Sequence, residues 1–211
     1  MYATITKEKF LSEAEINFIV NDIYNNGFHY NDIVDNKLHS FYKPWRYYNK
    51  NFELIKNFLD PKLKEILDYD FVIDHSHMLD SHVPYSIHTD YWQVKNFRQL
   101  EPAHSIIIPL DNYNSNTVIF NENSKIKRLD EYINQENPQR NITKISTDLV
   151  KNYLSHIDKD LLDYLSIKEI LKWNKGCLIA FDRKYFHCSD NYSANGLSGK
   201  KALILWTSTK I

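Results

Sequence analysis

The stretch Tyr85-Ser86-Ile87-His88-Thr89-Asp90-Tyr91-Trp92 decides the interpretation of this chain. It is a short apolar and aromatic run that carries a histidine and an aspartate two positions apart. In an extended strand, residues i and i+2 point to the same face. His88 and Asp90 would therefore present an imidazole and a carboxylate side by side. These are two of the three ligands that a metal site needs, so a third must come from elsewhere in the chain.

His187 is the best candidate for the third ligand. It follows the apolar run at 176–181, which predicts a strand, and sheet pairing can bring distant strands together. Two histidines and one carboxylate that leave coordination positions open form the facial triad of non-haem Fe(II) oxygenases. The chain contains nine histidines, so a histidine two positions from an acid is a weak signal by itself. The surrounding pattern of strands gives it weight.

The composition is that of an ordinary globular protein. With 211 residues, 43% of them hydrophobic and 25% charged, we expect a single domain at 1–211. A formal net charge of −1 predicts neither a duplex nucleic acid partner nor a membrane partner. Cys177 and Cys188 are too few for a disulfide framework, and the first residues lack an apolar signal segment, so we expect a cytoplasmic, reducing location. The sequence does not determine the oligomeric state.

Helical signals dominate the first third of the sequence. Ser12 and Glu15 form a capping box ahead of apolar residues at helical spacing, which predicts a helix at about 12–25. Two further helices are predicted at 51–59 and at 61–68, the second with a proline at its first position.

From about residue 70 the pattern changes to short β-branched runs separated by turn residues. Strands are predicted at 71–79, around His88, and at 104–110, 116–120, 176–181, 186–192 and 202–206. The segment 122–171 interrupts them with charged residues at helical spacing and a second capping box from Ser166 to Glu169. Helices followed by many short strands predict an antiparallel sandwich or barrel with helical support.

Three segments follow one another along the chain. The first carries H-x-D and ends at Asp90, the second is a pair of strands that ends at Phe120, and the third carries His187 and ends at Trp206. Together they resemble the 2-oxoglutarate and Fe(II)-dependent dioxygenase superfamily, whose H-x-D…H metal motif lies on a double-stranded β-helix, or jelly-roll, core. The pieces do not distinguish its prolyl-hydroxylase-like branch from its phytanoyl-CoA-dioxygenase-like branch. The resemblance implies a mainly β fold, with helical support at 1–69, the β core at 70–121 and 172–208, and a helical insertion at 122–171.

The resemblance also implies roles for single residues. His88, Asp90 and His187 would be the catalytic ligands of Fe(II). The G-x-[KR] pattern that ends at Lys201 makes this lysine the clamp for the distal carboxylate of the cosubstrate 2-oxoglutarate. Lys200 would then face away, although a one-residue shift in register would exchange the two lysines.

Two further expectations concern residues around this centre. Tyr85 is a second candidate for binding 2-oxoglutarate, through a hydrogen bond to the cosubstrate or the substrate. The tryptophans Trp92, Trp173 and Trp206 are expected in the core rather than as a surface for substrate.

The chemistry implied is hydroxylation of a small molecule or a side chain with molecular oxygen, with release of succinate and CO2. Two alternatives remain open: a cupin-like binding module without iron, and a zinc-dependent hydrolase, since two histidines and an aspartate also suit Zn(II). His75 and His77 share a face and form a second candidate pair of ligands. A binding module has no reason to combine three ligands with a clamping lysine. The substrate itself stays open, because fold and metal site do not determine it.

Overall fold

The computed structural model describes residues 1–26, 28–29, 43–46, 52–91, 99–140 and 145–211. These residues form ten strands, five α-helices and one π-helical turn. In chain order they are β1 (Ile5–Lys7), α1 (Glu13–Asn26), β2 (Phe28–His29), β3 (Lys43–Arg46), α2 (Phe52–Lys64), β4 (Val72–Ser81), β5 (Leu100–Pro109), β6 (Asn116–Asn123), α3 (Leu129–Glu136), α4 (Thr147–Leu149), the π-helical turn (Val150–Leu154), α5 (Lys159–Leu162), β7 (Ile167–Lys172), β8 (Leu178–Asp182), β9 (Tyr185–Ser189) and β10 (Lys200–Lys210). Across the described ranges, we find no helix with the length and apolar character to cross a membrane.

Two antiparallel sheets make up the β structure. The larger has seven strands in the order β1-β8-β5-β10-β4-β3-β2, and the smaller has three in the order β7-β6-β9. Apolar side chains of both sheets form one buried cluster, with Ile107 and Ile204 from the larger sheet and Ile119 from the smaller. The sheets therefore pack face to face, as the predicted mainly β fold requires.

Strand β10 lies in the middle of the larger sheet and is buried on both faces. Leu203 and Leu205 join the cluster on the helix side of the sheet. Ala202, Ile204 and Trp206 join the cluster between the sheets. Because both faces are apolar, the sequence of this strand does not alternate between apolar and polar residues.

Helix α1 covers the outer face of the larger sheet and begins as predicted. The Ser12 N–H donates to Glu15 Oε2 at 2.8 Å, and the Glu15 N–H donates to Ser12 Oγ at 3.3 Å, so the capping box is confirmed. Ile16, Ile19 and Ile23 are buried in the cluster between this helix and the sheet.

Helix α2 continues through a predicted break. Asp60 and Pro61 were expected to end one helix and begin another, but a single helix runs to Lys64. Leu59 and Leu63, four positions apart on one face, are both fully buried against the sheet. This burial holds the helix together although Pro61 cannot donate a backbone hydrogen bond. Asp60 pairs with Lys64 at 2.6 Å instead of capping a new helix.

The first 69 residues contribute strands as well as the expected helices. Strand β1 pairs with β8 at one edge of the larger sheet, and β3 pairs with β4 towards the other edge, where β2 follows. Besides its helices, this segment therefore contributes three short strands that extend the sheet. Runs this short lack the period that predicts a strand.

The insertion between β6 and β7 is shorter than the predicted 122–171. The capping box at Ser166 does not begin a helix, because β7 starts at Ile167 and pairs with β6. The Ser166 hydroxyl donates to Glu122 Oε1 at 3.0 Å instead of capping. Pairing with β6 and burial of Leu165 explain why this capping signal is overridden. The insertion packs on the smaller sheet through a third buried cluster, which includes Leu129 and Leu154.

Candidate metal centre and adjoining cavity

Backbone hydrogen bonds bring the predicted ligands together. The His88 N–H donates to the His187 carbonyl at 3.0 Å, and the His187 N–H donates to the His88 carbonyl at 2.9 Å. The predicted strand around His88 is reduced to isolated bridges with His187 and Arg128. The Asp90 N–H donates to the Arg183 carbonyl at 3.0 Å. The segment that carries H-x-D is thereby fixed against the strand and turn that carry the distant histidine.

The three side chains face one another. His88 Nε2 lies 3.7 Å from Asp90 Oδ1, and His187 Nε2 lies 3.5 Å from Asp90 Oδ2. One candidate ligand atom from each residue lies within 4.8 Å of the others, and this is the one such cluster in the described part of the chain. The alternative ligands His75 and His77 are not part of it. Their rings contact each other and the indole of Trp206.

Both imidazoles present the nitrogen that a metal needs. His88 Nδ1 lies 2.8 Å from the Ser86 carbonyl, and His187 Nδ1 lies 3.1 Å from the Tyr185 carbonyl. Because a carbonyl only accepts, each Nδ1 carries a hydrogen, and in the neutral tautomer with this hydrogen the lone pair is on Nε2. Burial, and then the nearby His187, lower the pKa of His88 to about 4, so this imidazole is neutral near pH 7. The donor set fits a divalent cation such as Fe(II) or Zn(II).

The Asp90 carboxylate is held in its charged form. Burial by itself would raise its pKa, but His187, His88, the Ser105 hydroxyl and Arg183 together keep the pKa of Asp90 below its usual value. Ser105 Oγ donates to Asp90 Oδ2 at 2.5 Å. A charge-assisted bond of this kind orients the carboxylate as well as stabilising it.

Arg183 supports this carboxylate from within the protein, and no motif in the sequence predicts that role. It sits in the turn between β8 and β9, yet its side chain is fully buried. Its Nε and NH2 donate to the Asp90 carbonyl at 3.1 and 3.0 Å. Its NH1 donates to both carboxylate oxygens of Asp74, at 3.2 and 2.9 Å. An aspartate within the apolar start of β4 is the one sequence signal for a buried cation.

A cavity of about 730 Å³ opens from this centre. Its inner wall comes from the two sheets and includes His77, Ile107, Thr117, Trp173, Lys200 and Trp206. Its outer wall comes from the insertion and includes Arg128, Leu129, Asp130, His156, Asp158 and Leu161. Trp173 and Trp206 are buried as expected and also line the cavity, whereas Trp92 lies outside the described residues.

The two lysines at the start of β10 occupy the positions opposite to those predicted. Lys201 points to the helix side of the sheet, where its Nζ donates to Tyr24 OH at 2.8 Å and lies 3.5 Å from Asp80 Oδ2. Lys200 is buried and lines the cavity. The assignment of the inward position to Lys201 is therefore corrected. Lys200 shares its face with Ala202 and Ile204, and this parity decides which lysine faces in.

Lys200 ends a buried polar network. Its Nζ donates to Ser115 Oγ at 2.8 Å and lies 3.7 Å from the centre of the Trp173 ring. Ser115 Oγ donates to Asp190 Oδ1 at 2.7 Å, and Asn116 Nδ2 donates to Asp190 Oδ2 at 2.8 Å. A buried lysine that faces a cavity is equipped to bind an anion there.

Tyr85 lies beside the predicted metal ligands. Its ring centre is 5.4 Å from that of His88, and the residue lines the cavity. The Tyr85 N–H donates to Ser189 Oγ at 2.6 Å, and His156 of the insertion contacts the Tyr85 carbonyl at 3.3 Å. The insertion thus contacts the segment that carries His88 and Asp90, two of the predicted metal ligands.

Comparisons with solved structures identify the same architecture in one class of enzyme. The fold is similar to that of SnoK, a non-haem α-ketoglutarate-dependent carbocyclase from nogalamycin biosynthesis, with 11% identity, a TM-score of 0.61, and coverage of 98% of this chain and 80% of SnoK. SnoN, an epimerase of the same biosynthesis, gives 7% identity, a TM-score of 0.55, and coverage of 97% and 76%. No protein-family model and no curated protein matches the sequence.

HygX from Streptomyces hygroscopicus, solved with nickel and 2-oxoglutarate bound, gives 9% identity, a TM-score of 0.53, and coverage of 99% of this chain and 83% of HygX. At such identities the similarity establishes the fold. It confirms the predicted double-stranded β-helix and, at the level of fold, the predicted resemblance to 2-oxoglutarate-dependent non-haem iron enzymes.

Proposed function

We propose that this protein is an Fe(II)- and 2-oxoglutarate-dependent oxygenase that acts on a small molecule. One observation carries the proposal: two imidazoles and a carboxylate converge at a cavity that also contains a buried lysine. A dianion that chelates a metal at one end needs such a cation at its other end. The fold shared with SnoK and HygX supports this interpretation.

His88, Asp90 and His187 would hold the iron on one side and leave its other positions to ligands. The iron and 2-oxoglutarate would supply the oxidising chemistry, in which O2 takes two electrons from 2-oxoglutarate and two from the substrate, releasing succinate and CO2. The protein would orient both molecules and keep water away from the reacting carbon.

Lys200 would bind the distal carboxylate of 2-oxoglutarate. Two hydroxyl groups that line the same cavity can assist it: Thr117 Oγ1 accepts from Trp173 Nε1, and Ser189 Oγ accepts from the Tyr85 N–H. Since each hydroxyl oxygen already accepts a hydrogen bond, each keeps its own hydrogen for a carboxylate. Tyr85, which lines the same cavity, would bind 2-oxoglutarate or the substrate through a hydrogen bond, as expected from the sequence.

The outer wall of the cavity suits a substrate of moderate size. A volume of about 730 Å³ lies within the range of small-molecule sites. The wall combines aliphatic Leu129 and Leu161 with charged Arg128, Asp130 and Asp158. We infer a substrate with both apolar and polar parts. Hydroxylation is the simplest outcome, although the fold also occurs in a carbocyclase and an epimerase.

Anaerobic titration of the purified protein with Fe(II) and then 2-oxoglutarate tests the proposal. We expect a weak visible charge-transfer band that forms with wild type and is absent from His187→Ala. His82→Ala, which changes a largely exposed histidine outside the cavity, is the matched control and should keep the band. If wild type binds Fe(II) but gives no band with 2-oxoglutarate, the oxygenase proposal is wrong. A binding module or a zinc enzyme would then explain the site better.

A further inference from the structure

Asp190 forms a counter-charge for Lys200 that the proposed reaction does not itself require. Its side chain is fully buried, and it lies just after β9, three positions beyond the third predicted ligand. Two side chains and two main-chain bonds hold it. Ser115 and Asn116 donate to its two carboxylate oxygens, its own N–H donates to the Asn116 carbonyl at 3.0 Å, and the Tyr192 N–H donates to its carbonyl at 2.9 Å. Both oxygens of this buried carboxylate therefore accept a hydrogen bond.

The hydroxyl of Ser115 connects the two charges in a fixed direction. A lysine ammonium only donates, so Ser115 Oγ accepts from Lys200 and must place its single hydrogen on Asp190. Each bond in this chain polarises the next, so the negative charge of Asp190 stabilises the ammonium without touching it. In the described part of the chain, this is the one hydrogen bond of the Lys200 ammonium, so its remaining hydrogens can serve the Trp173 ring and a ligand in the cavity.

We propose that Asp190 is the positioning residue of Lys200: through Ser115 it holds the buried side chain as an ammonium and in place to receive the distal carboxylate of 2-oxoglutarate. The inference rests on the proposed function and extends it. It predicts that cosubstrate binding is coupled to the uptake of a proton.

The groups that face Lys200 define its titration. Burial lowers the pKa of Lys200 to about 7, against the opposing effect of Asp190 and, to a lesser extent, Cys188. Burial raises the pKa of the Cys188 thiol and lowers that of His156, so both groups are neutral near pH 7. Tyr192 contributes a ring 4.8 Å from Nζ. Asp190 is therefore the group that most strongly opposes the effect of burial on the pKa of Lys200.

The sign of the pH dependence follows. Below about pH 7 Lys200 is already charged in the free protein, so binding takes up no proton and the affinity is constant. Above about pH 7 binding must first protonate the lysine, and affinity falls roughly tenfold per pH unit. Without the charge of Asp190, the affinity for 2-oxoglutarate begins to fall at a lower pH, because less then opposes the effect of burial on the pKa of Lys200.

Calorimetric titration measures both the affinity for 2-oxoglutarate and the number of protons taken up. 2-Oxoglutarate is titrated into the Mn(II)-loaded protein between pH 6 and 8, in two buffers of different ionisation enthalpy. For wild type we expect no proton uptake at pH 6, and at pH 8 uptake approaching one proton with affinity roughly tenfold lower than at pH 7. For Asp190→Asn, which keeps the shape of the side chain and one acceptor oxygen but loses the charge, we expect affinity near that of wild type at pH 6 and roughly tenfold lower at pH 7.

Asp80→Asn is the matched control. Asp80 stands beside Lys201 on the other face of the same sheet, so its loss should leave the pH profile unchanged. If Asp190→Asn misfolds, Ser115→Ala breaks the relay with a smaller change and should shift the profile in the same direction. Three results would overturn the inference. The Asp190→Asn variant could have the pH profile of wild type, it could bind 2-oxoglutarate more tightly than wild type at every pH, or wild type could bind without proton uptake. If Mn(II)-loaded wild type does not bind 2-oxoglutarate, the proposed function fails with it.

Discussion

Each end of the cavity has one buried charged group. Behind it, further inside the protein, lies a group of opposite charge. At the metal end the charge is the Asp90 carboxylate, supported by the guanidinium of Arg183. At the other end it is the Lys200 ammonium, supported through Ser115 by Asp190. The balance between burial and charged partners, which sets the pKa of each group, differs between the two ends. The pKa of Asp90 is lowered despite burial, whereas burial dominates at Lys200 and brings its pKa to about 7.

This difference follows from the number of partners. Asp90 has two imidazoles and a hydroxyl around its carboxylate and a guanidinium on its carbonyl, while Lys200 has one hydroxyl and one more distant carboxylate. The metal end is therefore charged before any ligand arrives. The lysine end becomes fully charged when an anion binds, which suits a cosubstrate that enters and leaves in every cycle.

The largest expected effect concerns the support of the metal end. Arg183→Met would leave the Asp74 carboxylate, 3% exposed, without its cation, and we expect a loss of roughly 3–5 kcal/mol in the free energy of unfolding measured with urea. Lys184→Met is the matched control in the same turn. Its partly exposed pair with Glu101 should contribute at most about 1 kcal/mol. Equal losses for the two variants would show that Arg183 does not have this role.

The next effect separates the two neighbouring lysines. Lys200→Met should weaken 2-oxoglutarate binding to the Mn(II)-loaded protein by roughly a hundredfold or more, about 3 kcal/mol, because the distal carboxylate would be desolvated without a cation. Lys201→Met should change this affinity by less than about twofold, since its side chain lies on the helix side and is 41% exposed. Calorimetry at pH 6.5 compares them, and the reverse order would restore the assignment made from sequence.

These lysines also show what the sequence could and could not predict. The convergence of His88, Asp90 and His187 could be predicted because H-x-D places two side chains on one face and an apolar strand precedes His187. The choice between Lys200 and Lys201 could not, because the run from Ala202 to Leu205 is apolar on both faces and gives no alternation from which to infer the inward side.

Long-range polar partners were equally beyond prediction. Arg183 and Asp74 are 109 positions apart, and Ser115 and Asp190 are 75 positions apart. Neither pair belongs to a motif, and their burial depends on how the two sheets close over them. The capping box at Ser166 failed for a related reason, since pairing of β7 with β6 overrode a correct local signal.

The smallest expected effect refines the metal end. Ser105→Ala removes the hydroxyl that donates to Asp90 at 2.5 Å, and we expect the affinity for Fe(II) to fall roughly tenfold in anaerobic competition with a chelator. Ser166→Ala, far along the chain and bonded to Glu122, should leave the affinity unchanged. An unchanged affinity in Ser105→Ala would mean that the imidazoles and Arg183 orient the carboxylate without it.

A crystal structure of the protein with Mn(II) and 2-oxoglutarate tests the central claim most directly. The account predicts Mn(II) on His88, Asp90 and His187, with the distal carboxylate of 2-oxoglutarate on Lys200. A metal bound elsewhere, or a carboxylate held without Lys200, would contradict it.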